Sequence, residues 1–320
     1  MKLLVTGGLG FIGSNFIRYM FSVHDCEIVN LDAMTYAGNL ENLKDIENGK
    51  YKFVKGDICD RKLVDYLVKE EMPDAVVNFA AESHNDRAEK DPGIFVRTNV
   101  LGTQILLHAC KEDNVRFHHI STCEVYGDLE LDSKEKFTEE SRYNPKTPYN
   151  ASKASSDHIV RAYFHTFKLP ITISNCGNNY GPYQYPEKLI PLFVTNILEG
   201  KKVPVFRSSQ NRREWIHVLD HCKAIDLILQ KGKIGETYNI GTGDERSIEE
   251  VTNLILKFLD EGEEVKEYVP DRLQHDKRDL LDSSKIRGLG WKPEVKFEDG
   301  LKETVDWYKK NIIWWKKLKI

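Results

Sequence analysis

Lys2-Leu3-Leu4-Val5-Thr6-Gly7-Gly8-Leu9-Gly10-Phe11-Ile12-Gly13 opens the chain with a short apolar run that passes directly into glycines and then into a segment of helical periodicity reaching residue 21. The pattern reads as strand, tight turn and helix. Glycines there allow the turn, let the backbone approach a pyrophosphate and let the helix pack closely on the strand, while the helix N-terminus faces the anion. The next apolar run, 27–31, ends at Asp32, nineteen residues after Gly13. An acid at that position accepts both ribose hydroxyls and favours NAD over NADP. A glycine motif alone is weak; with this context and Asp32 it is a dinucleotide fingerprint, and Gly7, Gly10, Phe11, Ile12, Gly13 and Asp32 are its candidate cofactor contacts.

Working outward, strand-like runs at 52–54, 75–79, 115–120 and 171–175 alternate with helical segments at 61–69, 92–110 and 148–167. Such alternation predicts an α/β fold, a doubly wound parallel Rossmann sheet with ligands outside the carboxyl ends of its strands. Asp57 and Ile58 after the third strand are placed to hold the adenine, and Ala80 after the fourth lies beside the dinucleotide. The regularity changes after Asn175, where 178–186 reads as a loop dense in Pro, Gly and Tyr. The expected division is an NAD-binding domain over 1–177, with returning segments at about 214–243, and a smaller C-terminal substrate lobe from 178–213 and 244–320. A final helix is expected over 297–315.

Composition narrows the classes. The 320 residues are 40% hydrophobic and 30% charged with a net charge of −4, ordinary for a globular protein and without a nucleic-acid footprint. Six cysteines, Cys26, Cys59, Cys110, Cys123, Cys176 and Cys222, show neither metal spacing nor a disulfide framework, so reduced thiols in a cytoplasmic protein are expected, with no metal. The first strand begins at Lys2, so no signal peptide is expected, and no apolar run is long enough to span a bilayer. Trp314-Trp315-Lys316-Lys317 reads as the packed end of the last helix.

Chemistry concentrates in Ser121-Thr122-Cys123-Glu124-Val125-Tyr126-Gly127 and Tyr149-Asn150-Ala151-Ser152-Lys153. Residues four apart share a helix face, so Lys153 is expected beside the Tyr149 phenol, where a cation favours the phenolate. A hydroxyl, a thiol and a carboxylate at a strand end, with a Tyr and a Lys nearby, are the parts of a proton- and hydride-transfer site.

These residues resemble the extended short-chain dehydrogenase/reductase superfamily and, within it, the nucleotide-sugar dehydratases of the dTDP-glucose 4,6-dehydratase type. The resemblance runs nearly end to end, through residues 7–15, 31–32, 35–39, 56–58, 80–87 (A-A-E-S-H-N-D-R), 98–103, 178–191 (N-N-Y-G-P-Y-Q-Y-P-E-K-L-I-P), 215–221, Asp271-Arg272 and His275-Asp276. It implies a tightly held NAD and a nucleotide-diphosphate sugar substrate. It also implies that Tyr149, with Lys153 and Thr122, takes the 4-hydroxyl proton, and that Glu124 removes the C5 proton before water leaves from C6. Ser83, His84, Asn178, Asn179, Lys188, Phe206, Arg213, Arg272 and His275 are the implied substrate contacts, with Arg213 and Arg272 as diphosphate clamps, since a guanidinium fork matches phosphate oxygens. The same family often forms homodimers through a four-helix bundle, for which 92–110 and 148–167 are the candidate helices.

Several positions depart from the family pattern, among them Arg207-Ser208-Ser209 after Phe206, where the dTDP-glucose enzymes tend to have Gly-Asp-Gly. Where the family carries Thr-Asp-Glu, this chain has Thr122-Cys123-Glu124, and a thiol (ordinary pKa ~8.5) is a poorer proton donor than a carboxylic acid (~4). Asn85 replaces a usual Val, and Glu214 a usual Asp. Thr-Cys-Glu resembles the nucleotide-hexosamine 5,6-dehydratases acting on UDP-GlcNAc. The expectation is therefore that Glu124 carries the C5 proton to the C6 hydroxyl itself and that hydride returns to C4, giving a 5,6-ene sugar. The alternative is a 4,6-dehydratase that makes a 4-keto-6-deoxy sugar from dTDP-glucose or UDP-GlcNAc. A 4-epimerase, a decarboxylase and a non-catalytic sensor are weaker readings, because Thr122, Glu124, Tyr149 and Lys153 are all present.

Overall fold

The computed structural model describes residues 1–46, 49–274 and 276–319. Its strands, in chain order, are β1 (Lys2–Thr6), β2 (Glu27–Asp32), β3 (Tyr51–Lys55), β4 (Ala75–Asn78), β5 (Arg116–Thr122), β6 (Ile171–Cys176), β7 (Asn178–Tyr180), β8 (Val203–Phe206), β9 (Arg212–His217), β10 (Thr237–Ile240), β11 (Glu245–Ser247) and β12 (Lys266–Val269). Seven of them form one sheet in the order β10-β6-β5-β4-β1-β2-β3. Every pair in it is parallel; Val5, for instance, faces Asn30 on one side and Val77 on the other.

Central strands such as Leu3-Leu4-Val5 and Ala75–Asn78 are buried throughout, as a sheet covered on both faces requires. One face packs helix Phe11–Val23 and helix Val218–Lys231 through Phe16, Ile17, Met20, Cys222 and Ile225. The other packs helices Arg61–Glu71, Thr103–Glu112 and Pro148–Phe167 through Val64, Leu67, Leu106, Leu107 and Val160. This is the Rossmann-like parallel sheet that the alternation of elements predicts.

The later chain forms a smaller body. Strand β9 pairs with β7 and β11, and β8 pairs with β12. Around them helices Leu189–Leu198, Ile248–Leu259 and Phe297–Lys310 enclose Phe193, Val251, Leu301, Tyr308 and Trp315. Trp315 is fully buried and its Nε1 donates to Tyr308 O at 2.9 Å, so the tryptophan tail is core. No helix among the described residues is long and apolar enough to cross a membrane.

Three expectations need correcting. Segment 92–110 is not one helix: helix Pro92–Phe95 leads into a wide π-type turn, Val96–Gly102, before helix Thr103–Glu112 begins. The wide turn brings the Asn99 side chain inward, where it accepts from Glu82 N at 2.8 Å and donates to Glu82 O and Ser152 Oγ. Residues 178–180 are strand rather than loop, because β9 offers them a parallel partner. The last helix breaks at Asn311, whose side chain donates to Trp307 O at 2.8 Å, and resumes as Ile312–Lys316.

Trp315→Ala empties a fully buried indole site in the smaller body, and a loss of about 3–5 kcal/mol is expected. A urea midpoint equal to wild type would show that the tail does not contribute to the core.

Candidate active site

The glycine turn forms the floor of a cleft at the carboxyl edge of the sheet. Gly7 takes φ +69°, its N–H donates to Leu31 O at 2.9 Å, and a Cβ there would press on Ala80 N at 2.6 Å. Gly10, Phe11, Ile12, Gly13, Asp32, Asp57, Ile58 and Ala80 continue this wall of the cleft with Gly7. Asp32 is held by two backbone donors, Leu9 N to Oδ2 at 2.9 Å and Met34 N to Oδ1 at 2.7 Å. Asp57 accepts from Cys59 N at 2.8 Å and pairs with Arg97 at 2.8 Å. A bare-backbone cradle beside an oriented acid fits a dinucleotide.

The reactive groups stand opposite. Strand β5 ends at Thr122, whose Oγ1 accepts from Glu124 N at 3.3 Å and starts the short turn Cys123–Tyr126. Helix Pro148–Phe167 begins on Thr147, whose hydroxyl accepts from Asn150 N at 3.1 Å, with Pro at the first position. Its first turns carry Tyr149 and Lys153. Thr122, Cys123, Glu124, Tyr149 and Lys153 all line the cleft.

Lys153 Nζ donates to Ile120 O at 2.6 Å and lies 3.5 Å from His119 Nε2, so the ammonium is engaged at the end of β5. Burial lowers its pKa to about 8, against the opposing pull of Asp157. Burial, and then the nearby Glu124, push the Tyr149 phenol well above its usual value, while a hydrogen bond with Thr122 works the other way. Thr122 is therefore the nearer hydrogen-bonding influence on the phenol.

Glu124 is surrounded by groups that tune it. Burial raises its pKa, Lys188 and Arg213 lower it, and Asp279 raises it. Asn85 Nδ2 donates to Glu124 Oε2 at 3.4 Å, and Asn85 Oδ1 accepts from Thr147 Oγ1 at 2.9 Å. The residue that departs from the family's Val thus touches the base. Cys123 is buried, with Sγ 3.6 Å from Asp279 Oδ2. Burial, and then Asp279, push this thiol well up.

The implied substrate contacts divide. Ser83, Asn178, Asn179 and Lys188 line the cleft, with Lys188 Nζ donating to Ser83 O at 2.7 Å. Asn178 Nδ2 donates to Asp279 Oδ2 at 3.1 Å, and Asn179 Oδ1 meets His221 Nδ1 at 2.9 Å. His84, Phe206, Arg213 and Arg272 are not on the cleft wall. Arg213 Nη2 donates to Asp276 O at 2.8 Å, whereas Arg272 pairs with Asp86 and lies 5.1 Å above the Phe206 ring. His275 lies outside the described residues. Asn85, Asn99 and Asp279 went unassigned in the sequence. For Asn85 the signal was its departure from a usual Val; Asp279 carries none, since it reaches Cys123 only through the tertiary fold.

The model of the family described as GDP-mannose 4,6 dehydratase matches residues 4–304. A dTDP-glucose 4,6-dehydratase of Xanthomonas campestris pv. campestris (strain B100) is 48% identical over 97% of this chain and 94% of its own length. The chain belongs to the nucleotide-sugar dehydratases of the extended short-chain dehydrogenase/reductase family. Among solved structures, the dTDP-glucose 4,6-dehydratase of Streptomyces venezuelae with NAD bound is 46% identical, covers both chains fully and superposes with a TM-score of 0.96. That of Bacillus anthracis, in complex with NAD, is 47% identical with full coverage and a TM-score of 0.93. A UDP-glucose 4-epimerase of Thermotoga maritima shares the fold at 28% identity and a TM-score of 0.90, over 98% of this chain and all of its own. NAD is accordingly the cofactor of this dehydratase.

The pH profile of kcat/KM for the dehydratase follows from these groups. As the base expected from the sequence, Glu124 would have to be ionised, and activity would rise through its elevated pKa. Lys153 must stay protonated, so activity falls above about 8. Asn85→Val removes a donor that favours the Glu124 carboxylate, and the acid limb is expected to move to higher pH with the alkaline limb unchanged. An acid limb that stays in place would separate Asn85 from the base.

Proposed function

We propose that the dehydratase acts on a nucleotide-diphosphate hexose, oxidising C4 and removing water across C5 and C6, and that its product is a 4-keto-6-deoxy sugar such as dTDP-glucose yields. The reading rests chiefly on Thr122, Glu124 and Tyr149 facing one cleft with the dinucleotide cradle. Bound NAD supplies the hydride acceptor and donor. Tyr149 takes the 4-hydroxyl proton, and its hydrogen bond with Thr122 favours the phenolate that this requires. A 4-ketone acidifies C5–H, and Glu124, made more basic by its burial and kept ionised by Lys188 and Asn85, takes that proton. Lys188 also fixes the Ser83 loop that covers this end of the cleft. The relatives carry the 4,6-dehydratase name, which ranks this product above the 5,6-ene expected from Thr122-Cys123-Glu124.

One observation favours the 5,6-ene from UDP-GlcNAc as a second reading. The Cys123 thiol is directed at Asp279, so the 122–124 stretch presents the C6 hydroxyl with no carboxyl besides that of Glu124. Proton NMR of the product from dTDP-glucose and from UDP-GlcNAc separates the two. A C6 methyl beside a 4-ketone or its hydrate supports the leading reading; vinyl protons on C6 with a proton kept at C4 establish the other. Tyr149→Phe is expected to lower kcat about 10²- to 10⁴-fold on the accepted sugar, the range for losing a positioned acid–base group. Full activity in that variant would sink both readings.

We further propose a homodimer through helix Pro148–Phe167 and the helical segment from Pro92 to Glu112. Exposed on these are the small residues Ala151, Ser155 and Ala162, together with Val96 and Leu101. Small side chains let helices approach closely, and paired apolar ones give them area to bury. Light scattering is expected to give twice the chain mass at micromolar concentration, and a monomer throughout would rule the dimer out.

A further inference from the structure

Asp279 presents a second carboxyl at the reactive tripeptide, from a part of the chain 155 residues beyond Glu124. Its Oδ2 accepts from Cys123 Sγ at 3.6 Å and from Asn178 Nδ2 at 3.1 Å, and its Oδ1 accepts from Glu214 N at 3.1 Å. Arg213 Nε stands 3.7 Å from Oδ2. The segment that carries it is fixed: Leu281 N donates to Glu214 Oε2 at 3.1 Å, Phe137 N to Leu280 O and Asp282 N to Phe137 O, both at 2.8 Å. Asp279 is 2% exposed and off the cleft wall, while Cys123 is on it. Cys123 and Asn178 therefore stand between the carboxyl and the cleft, and of the two the thiol is the group that can pass on a proton.

Resting on the dehydratase reading above, we propose that Asp279 is the acid of the elimination and that the Cys123 thiol relays its proton to the departing C6 hydroxyl. As Glu124 takes the C5 proton, the C5–H electron pair forms the C5–C6 double bond and the C6–O bond breaks. The leaving oxygen takes the thiol proton and departs as water, and the sulfur takes the proton of the Asp279 carboxyl. Asp279 is left ionised and is reset by a proton from solvent. Burial raises the carboxyl above its usual range, which favours the protonated form before the step. The donors from Asn178, Glu214 and Arg213 stabilise the carboxylate that the step leaves behind. Glu124 thereby retains the C5 proton, which the 4-keto-6-deoxy product needs returned to C5.

The test uses the NAD-loaded enzyme in deuterated water with dTDP-glucose and with UDP-GlcNAc, following water loss and deuterium at C5 of recovered substrate. In Asp279→Asn, dehydration is expected to fall at least 100-fold while C5 still exchanges, because Glu124 and C4 oxidation are intact. Cys123→Ala is expected to behave alike without altering Asp279. Adding Cys123→Asp to Asp279→Asn is expected to restore at least a tenth of the wild-type rate, by placing the carboxyl directly at the cleft. If wild type dehydrates a sugar and either single variant keeps its rate, the relay is overturned and the dehydratase reading stands. Loss of both dehydration and C5 exchange without rescue would make Asp279 merely structural and also overturn it. A wild type that dehydrates neither sugar fails the dehydratase reading, and this proposal with it.

Discussion

Parallel pairing of β1 with both of its neighbours fixes where every reactive group in this molecule can stand. Strands that all run one way end at one edge, and the backbone there turns away from its ladder with unused N–H groups. The glycine turn, Asp32, Asp57, Ala80 and Thr122 each stand at or just after the end of a different strand. They meet because of register rather than attraction, and the helices on either face hold the register by covering it.

The cost of this arrangement is buried charge. Lys153, Asp157 and Asp279 are removed from water and Glu124 and Lys188 are half-buried within a small region, and burial opposes the charged form of each. Partners offset that: Ser121 and Tyr143 donate to Asp157 at 2.8 and 2.9 Å, and Ile120 O receives Lys153. Removing one member leaves its partner uncompensated, which is more damaging than either burial alone. The same burial places the acids and bases of the site away from their solution pKa values, where proton transfer at neutral pH becomes accessible.

Much of this was legible in the sequence because it is local. The strand Lys2–Thr6 and helix Pro148–Phe167 carry their own punctuation, apolar runs ending in glycines and a Thr-Pro start. What stayed hidden depends on distant partners. Strand Asn178–Tyr180 forms because β9 lies alongside, and its composition reads as loop. The wide turn Val96–Gly102 answers to the Glu82 backbone, which no helical periodicity encodes. Lys153 shares a helix face with Tyr149, as spacing implies, yet spacing does not reveal that the Ile120 carbonyl takes its ammonium. Asp279 lies in a stretch with no motif at all and is brought to Cys123 by Glu214 and Phe137.

The two bodies are also stitched to each other, in part through Tyr36 and Glu187 of the cleft wall. Tyr36 OH donates to Glu187 at 2.8 Å, Asn15 Nδ2 to Pro182 O at 3.0 Å, and Trp314 Nε1 to Asn42 Oδ1 at 2.9 Å. Arg87 reaches the same Glu187 while lying over the Tyr36 ring. Release of a ligand from the cleft beside Tyr36 and Glu187 would then depend on these sutures as well as on the ligand's own contacts. For a cofactor reduced and reoxidised within one catalytic cycle, slow exchange carries no penalty in turnover. On this reading the sugar would come and go while the dinucleotide stays behind as a fixture of the fold.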